Sequence, residues 1–588
     1  MAGAQQEAHT NGLGWWAALL AGLAYAWLML LATPWVGLWW AVVIAPAPLM
    51  WLAARSVRAR RDAAWACVGA APLWAVTHWW ISQISAMGWP PLVAYLSLYA
   101  GLFVWIGSAL RRRLSPAAFW CAAPVVWVGL EALRGEVVFD GYAWYFAGHP
   151  LIEAPGLARV ASFVGVYGVS LLVAAFAACA AYAVTGGGAP RGRIVPAVCA
   201  LVVLGALEAG LRLLPDPPAG DPLRVAVVQT NVPQSVRMQS SHERKIDDFV
   251  RMLELTVIAR DAPPEGPPDG AQGVGLYVWP ETMFTGIALG NESARVEEEA
   301  ALAFPDGMPS TALRDATLEL SGTLGGAPLL VGAIGYDGLR LRFDDDGFLQ
   351  RDADGRFNSA FVVRDGVVED QRYDKVHLTP FGEVMPYISR SKWLESRLLA
   401  LGAQGMAFDL SPGREALALR LEREGIGVAT PICFEASAAG VVRRQVFSGG
   451  ERRAHLIVNL TNDGWFGGSG AGRMAHLQAS RWRAVETGTP AVRAANTGVS
   501  CVIDARGRVL ALGPDGSSRT WGVDGVLVRD VPTAAPDART LYMRTGDALG
   551  WMCLALTALA CAAMLVPSLV QTIERRRRAR RTGERHDA

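Results

Sequence analysis

Lysine is nearly missing from this chain. Of 54 lysines and arginines in 588 residues, only Lys245, Lys375 and Lys392 are lysine. Charge is scarce too, at 18% of residues against 52% hydrophobic, with a net charge of +1. Such a chain is too apolar for one water-soluble enzyme and too long for a single domain. No basic patch with interleaved aromatics occurs, which sets nucleic acid aside as a partner. No metal-ligand spacing of cysteine and histidine is present, so no metal site is expected. Of eight cysteines, Cys67, Cys121, Cys179, Cys199, Cys553 and Cys561 lie in apolar runs, where cysteine behaves as a small hydrophobe. Only Cys433 and Cys501 lie in polar sequence, and they suggest no disulfide framework.

What the chain does have is long apolar sequence. Eight runs are long enough to cross a bilayer, at about 14–33, 35–54, 63–85, 92–110, 116–133, 157–184, 194–214 and 549–570. The first is not read as a signal peptide, because no Lys or Arg precedes it and a second run follows directly. Arginines cluster after every second run: Arg55, Arg58, Arg60 and Arg61, then Arg111, Arg112 and Arg113, then Arg191 and Arg193, and finally "ERRRRARRTGER". The opposite short loops hold only Arg134 and Arg159. Positive charge stays on the cytoplasmic side, so both termini are expected there and residues 215–548 outside. The expected organisation is a membrane domain over 1–214, an extracytoplasmic domain over 222–540, a last transmembrane helix at 549–570 and a basic tail at 571–588. Sixteen of the 22 tryptophans fall in the first 150 residues, as an interfacial belt requires. Glu131 and Glu208 sit near outer span ends. An intramembrane acid invites a functional reading, but Arg134 three residues after Glu131 favours a structural pair.

Between 222 and 540 the composition is that of an ordinary globular domain. Short β-rich runs recur at 223–231, 275–281, 327–336, 358–366, 426–435, 454–463 and 491–504. Helical stretches fall between several of them, at about 242–260, 310–322, 436–448 and 472–487. Apolar strands alternating with helices predict an α/β domain, a sheet covered by helices. Three chemical residues end or follow strands, where folds of this kind place reactive groups: Glu281 after "LYVWP", Lys375 in "YDKVHLTPFGEVMP" and Cys433 after "GVATPI". Together they form a set suited to acyl transfer. A thiol needs activation by a cation or a base, a carboxylate can take its proton, and an ammonium with the Phe434 backbone N–H can hold an oxyanion. A chain that uses arginine almost everywhere but lysine at 375 needs a compact point charge there rather than a planar fork.

The segments "VWPET", "YDKVHLTPFGE" and "PICFE" resemble the nitrilase, or carbon–nitrogen hydrolase, superfamily. The spans around the domain, "PLRVAVVQTNVPQS", "LTPFGEVMP" and the long segment beginning "NLTNDGWFGG" resemble one branch closely, the apolipoprotein N-acyltransferases. The resemblance covers nearly the whole chain. It implies an αββα sandwich with Glu281 as general base, Lys375 as charge stabiliser and Cys433 as nucleophile. Glu383, Phe434 and Glu435 match supporting positions, and Trp465 and Phe466 match a loop near a lipid entrance. It further implies ping-pong acyl transfer without a cofactor, from a phospholipid to a diacylglyceryl apolipoprotein, at the outer face of a bacterial inner membrane. The sequence departs from the branch at Met238, where Trp is usual, at Phe434, where Tyr is usual, and in "GRMAH" (472–476), which lacks a usual Gln. Two other readings share these residues: a membrane-tethered amidase transferring to water, and a non-catalytic lipid-binding scaffold.

Overall fold

The computed structural model describes residues 13–185, 190–232, 242–263, 273–303, 311–344, 349–387, 393 and 410–564. Met238 and the tail at 571–588 lie outside them.

The first part of the chain is a helical bundle: α1 (Trp15–Leu31), α2 (Ala47–Arg55), α3 (Ala59–Thr77), α4 (Trp79–Ile84), α5 (Trp89–Arg111), α6 (Pro116–Ala132), α7 (Ala161–Thr185) and α8 (Pro190–Arg212). By length and composition α5, α6 with its continuation to Asp140, α7 and α8 can each cross a membrane. The apolar helices at Trp15–Leu31, Trp39–Arg55 and Ala548–Met564 are shorter. Three expected runs are not continuous helices; the one at 157–184 is broken after Ala158 and again at Val164 and Gly165, whose backbone is not helical. The run at 35–54 is a 3-10 turn over Trp39–Ile44 followed by α2, interrupted at Pro46, which has no N–H to continue the ladder. The run at 63–85 breaks at His78 into α3 and α4, and α3 carries Arg60, Arg61 and Asp62 in its first turn.

The expected Glu131–Arg134 pair does not form an ion pair among the described residues. Glu131 instead accepts from the Ala147 N–H (2.7 Å) and the Trp127 indole (3.0 Å). Arg134 donates to the Tyr145 carbonyl (3.4 Å) and lies over the rings of Trp74 and Phe146. The reason is a buried irregular loop at 141–149, whose backbone groups must find partners where water is scarce. Glu208 is likewise occupied, by the Leu157 N–H (2.7 Å) and Arg212 (2.8 Å).

The second part is built on two six-stranded sheets. In chain order the strands are β1 (Ala219–Gln229), β2 (Leu276–Val278), β3 (Leu329–Asp337), β4 (Gly355–Arg364), β5 (Val367–Asp374), β6 (Ala418–Leu421), β7 (Ile426–Ala429), β8 (Leu456–Thr461), β9 (Ala491–Ala495), β10 (Cys501–Ile503), β11 (Val509–Leu512) and β12 (Gly525–Ala534). One sheet runs β12-β1-β2-β3-β4-β5 and the other β11-β10-β9-β8-β7-β6. In each, the central strands are parallel and the outer pairings antiparallel. The strand period of two sorts the side chains. Val225 and Val227 of β1 face the other sheet, meeting Val428, Leu456 and Val458. Ala226 and Val228 face outward onto Phe249, Met252 and Leu255 of α9 (His242–Arg260) and Leu320 of α10 (Ala312–Gly322). On the other side Ile457, Ala491 and Ile503 meet Val442 and Val446 of α11 (Ala439–Val446) and Leu477 and Ala484 of α12 (Gly470–Thr487). The result is the four-layer αββα sandwich.

Several expected elements are shorter. The run at 426–435 is a strand only to Ala429, because Pro431 and the turn at Cys433 end the ladder. The run at 491–504 folds into two antiparallel strands, β9 and β10. The strand β12, edge partner of β1, lies outside the runs that the sequence marks as β-rich.

Helix α12 joins the two parts. Its Leu477 and Ala484 pack on a sheet, while Ala475, Trp482 and Val485 enter the hydrophobic core of the membrane bundle. Trp482 is fully buried and its indole N–H donates to the His149 carbonyl (3.2 Å). Trp482→Ala should therefore cost about 3–5 kcal/mol, read as a lowered thermal unfolding midpoint in detergent. An unchanged midpoint would mean that the two parts do not share this core.

Candidate active site

Glu281 follows β2 by a short Trp-Pro link. Trp279 is fully buried and donates to the Thr256 hydroxyl (2.9 Å), which anchors the strand end. On the neighbouring strand only glycine fits at 332, since a Cβ there would meet the Glu281 Cα at 2.8 Å. The carboxylate is held at both oxygens: Oε1 accepts from the Asn358 amide (2.8 Å) and Oε2 from the Asn462 backbone N–H (2.8 Å).

Lys375 follows β5, and its backbone N–H donates to the Asn358 carbonyl (2.8 Å), which fixes the base of the side chain. That side chain is completely buried, with Nζ 2.6 Å from Glu383 Oε2, 3.3 Å from Thr379 Oγ1 and 4.0 Å from Glu281 Oε1. Burial works against the ammonium, but the carboxylates of Glu383 and Glu281 outweigh it and hold its pKa well above the ordinary lysine value. Burial likewise opposes the charge on Glu383, and Lys375 overcomes it, so this carboxyl stays below its usual range. Glu383 also accepts from the Thr379 N–H (2.8 Å) and the Asn358 amide (3.1 Å). Asn358 therefore bridges both carboxylates.

Cys433 opens a short 3-10 turn, Cys433–Ser437, with φ at +52°. A side chain in this left-handed region is strained, by roughly 1–3 kcal/mol, and the surroundings must hold it there. Two devices do so. Glu435, fully buried, accepts from the Ile432 N–H (2.8 Å), the Tyr373 hydroxyl (2.8 Å) and the N–H groups of Val376 (2.7 Å) and His377 (2.9 Å). It ties the cysteine turn to the lysine loop. His476 Nε2 lies 2.9 Å from the Cys433 carbonyl, while Nδ1 lies 3.0 Å from Asp463 Oδ1. Arg493, fully buried, grips both Asp463 oxygens at 2.8 and 2.9 Å. Burial opposes the Asp463 charge, but Arg493 and His476 hold its pKa well below the usual value. Burial and the Glu281 charge push the Cys433 thiol well up, and Lys375 only partly counters them. The resting group is a thiol, so a base must take its proton when it attacks.

The structure thus brings Glu281, Lys375, Cys433, Glu383 and Glu435 into one cluster. Phe434 is buried against His377 and Tyr142. Phe466 is buried between Trp80 (ring centroids 4.8 Å), Trp144 (5.9 Å) and His476 (5.9 Å), and Trp465 beside it is half-buried. The sequence reading does not single out Asn358, Asp463, His476 or Arg493. The signal for three of them lies within "NLTND", "GRMAH" and "AVRAANTG", but nothing in their spacing says that they converge on a cysteine turn.

A four-layer αββα sandwich with chemistry at its strand ends defines the nitrilase class of fold, and residues 224–534 match the family model described as carbon-nitrogen hydrolase. Residues 11–179 match the model described as apolipoprotein N-acyltransferase N-terminal domain. Apolipoprotein N-acyltransferase of Rhodopseudomonas palustris is 31% identical over 562 residues, covering 91% of this chain and 92% of the relative. That of Geobacter metallireducens is 30% identical over 491 residues, covering 82% and 80%. Among solved structures, a mutant of the Nesterenkonia AN1 amidase from the nitrilase superfamily is 18% identical with a TM-score of 0.32, covering 56% of this chain and 97% of the amidase. The chain belongs to the apolipoprotein N-acyltransferase family.

The raised thiol pKa gives a direct expectation. Alkylation of Cys433 by iodoacetamide, followed peptide by peptide, should rise with pH only above the ordinary cysteine midpoint of about 8.5. Lys375→Met should move the midpoint further up, because it removes the cation that opposes burial. A midpoint at or below the ordinary value would contradict the charge balance of the site.

Proposed function

We propose that this protein transfers a fatty acyl chain from a membrane phospholipid to the N-terminal amine of the S-diacylglyceryl-cysteine of an apolipoprotein, through a thioester on Cys433. The observation that carries this reading is the buried Lys375 ammonium, 2.6 Å from Glu383 and 4.0 Å from Glu281, in a site whose Phe434 and Phe466 belong to the core of the membrane bundle.

In the first half, Glu281 takes the Cys433 proton as sulfur attacks the ester carbonyl. Lys375 and the Phe434 N–H stabilise the oxyanion. Collapse breaks the ester bond, and the departing lysophospholipid oxygen receives the proton from Glu281. In the second half the acceptor amine attacks the thioester and gives a proton to Glu281. The C–S bond breaks, an amide forms, and the proton returns to sulfur. Glu383 keeps Lys375 charged through both halves without acting on the acyl group. Arginine would not serve at 375, since its wider fork would have to replace a point charge held within one hydrogen bond of Glu383. A thioester must be kept from water, and the aromatic wall shared with the membrane bundle supports that role.

We place the protein in the bacterial cytoplasmic membrane with its catalytic domain on the outer face and both termini inside. The alternation of arginine clusters along the sequence supports that orientation.

Incubation of the purified protein with phospholipid alone should add one acyl mass to the wild type in intact mass spectrometry. The adduct should be released by hydroxylamine and be absent from Cys433→Ala. Lys375→Arg should insert and fold normally but acylate at least about 100-fold more slowly. No adduct on a folded wild type, or free fatty acid as the only product with a diacylglyceryl peptide present, would overturn the proposal.

A further inference from the structure

The residue after the nucleophile is not positioned by its own domain alone. The Phe434 ring is stacked on His377, two residues beyond Lys375, at 6.0 Å between centroids and 18° between planes. Its other stacking partner is Tyr142 of the membrane part, at 6.0 Å and 21°. The Phe434 ring thus stacks on one ring from the lysine loop and on one from the loop after α6. Trp144 flanks it, 5.8 Å from each of Tyr142, Phe434 and His476.

Tyr142 is in turn fixed by a second membrane-part residue. His78, fully buried at the break between α3 and α4, has Nε2 2.5 Å from the Tyr142 hydroxyl. The hydrogen-bond pattern assigns the tautomer. His78 Nδ1 faces the Trp74 carbonyl (3.2 Å) and the Thr77 hydroxyl oxygen (2.9 Å), and that hydroxyl already donates to the Leu73 carbonyl (2.7 Å). Nδ1 therefore faces two acceptors and carries the hydrogen. Nε2 is left with its lone pair, and the Tyr142 hydroxyl donates to it. The backbone of Tyr142 is held as well, by its N–H to the Arg134 carbonyl (2.7 Å). Both the path of the chain and the direction of the phenol are set by the membrane part.

We infer that Tyr142, oriented by His78, is a positioning residue for the nucleophile turn: it holds the Phe434 ring, and with it the backbone N–H beside Cys433, in the geometry that acyl transfer needs. This rests on the reading of Cys433 as the acylated nucleophile. The Phe434 side chain has no polar group of its own to fix it, so its place depends on the rings packed against it, Tyr142, His377 and Trp144. A displacement of about 1 Å at a reacting centre is enough to cost about 100-fold in rate.

The test measures the limiting rate and the half-saturating phospholipid concentration of Cys433 acylation, by rapid-quench mass spectrometry of the full-length protein in detergent. Tyr142→Ala should lower the limiting rate by about 100-fold and leave the half-saturating concentration essentially unchanged. Tyr142→Phe keeps the ring and loses the His78 bond, so it should recover most of that loss and remain about fivefold below wild type. His78→Leu should match it. The double variant Tyr142→Phe with His78→Leu should be no slower than either single one, since all three remove the same bond. If Tyr142→Ala does not insert, the two conservative variants and their combination decide the matter. A wild-type limiting rate in Tyr142→Ala would overturn the inference. So would a change confined to the half-saturating concentration, which would make Tyr142 a lipid contact, and so would additive losses in the double variant. Absence of acylation in the wild type itself would instead overturn the proposed function.

Discussion

A completely buried ammonium is the constraint around which the catalytic part is arranged. An isolated charge cannot be taken out of water without losing several kcal/mol, so Lys375 must be met by anions at short range. Glu383 at 2.6 Å is the direct partner, and Glu281 at 4.0 Å shares the same field. The buried Glu281 and the half-buried Glu383 then need donors of their own. Asn358 supplies its amide to both, and backbone N–H groups of Thr379 and Asn462 complete them. Those backbone groups come from different loops and from both sheets, so satisfying one lysine brings the ends of β2, β4, β5 and β8 to one point. Removing a single partner would leave an uncompensated charge, which is far costlier than never having buried the pair.

The Cys433 turn is held by comparable means. Its positive φ is a local cost, and Glu435 and His476 each offset it with hydrogen bonds to the backbone at the turn. Behind His476 stand Asp463 and Arg493, fully buried and mutually paired. Two buried ion pairs therefore bracket Cys433, Lys375–Glu383 on one side and Arg493–Asp463 on the other. The first faces the reacting groups, while the second reaches them only through the His476 contact to the cysteine carbonyl.

The two parts of the molecule meet through aromatic rings and one helix, with polar contacts beside them such as Arg481 to Glu153 and the Val166 N–H to Glu486. Helix α12 shows one face to a sheet and another to the membrane bundle, and Phe434 and Phe466 lie in the bundle's core. A chemical site fused to the apolar core of a membrane domain suits lipid substrates better than small polar ones. It also makes the loop at 141–149, which sequence periodicity can treat only as a connection between spans, a wall of the site.

How much of this is legible follows from the range of each signal. Span-length apolar runs, arginine alternation and strands of period two are local patterns, so the membrane bundle and the α/β domain can be read directly. The rarity of lysine marks Lys375, and the strand-end positions of Glu281 and Cys433 mark the other two members of the candidate site. The Glu131–Arg134 pair is misjudged because helical spacing says which side chains are neighbours, but not that a buried loop competes for both. The split runs at Pro46 and His78 show the same limit, since hydrophobicity does not register a break in backbone geometry. Asn358, His476, Asp463 and Arg493 are polar residues in ordinary-looking strands and helices, and their roles arise only when several strand ends converge. The sequence by itself determined the layers of the α/β domain, where the apolar sequence lies and the kinds of groups available for chemistry, because these depend on local composition and periodicity. Only the tertiary structure decided which charges neutralise each other, which backbone strain is held by which partner, and that a membrane loop lies against the Cys433 turn, because these depend on contacts between residues far apart in the chain.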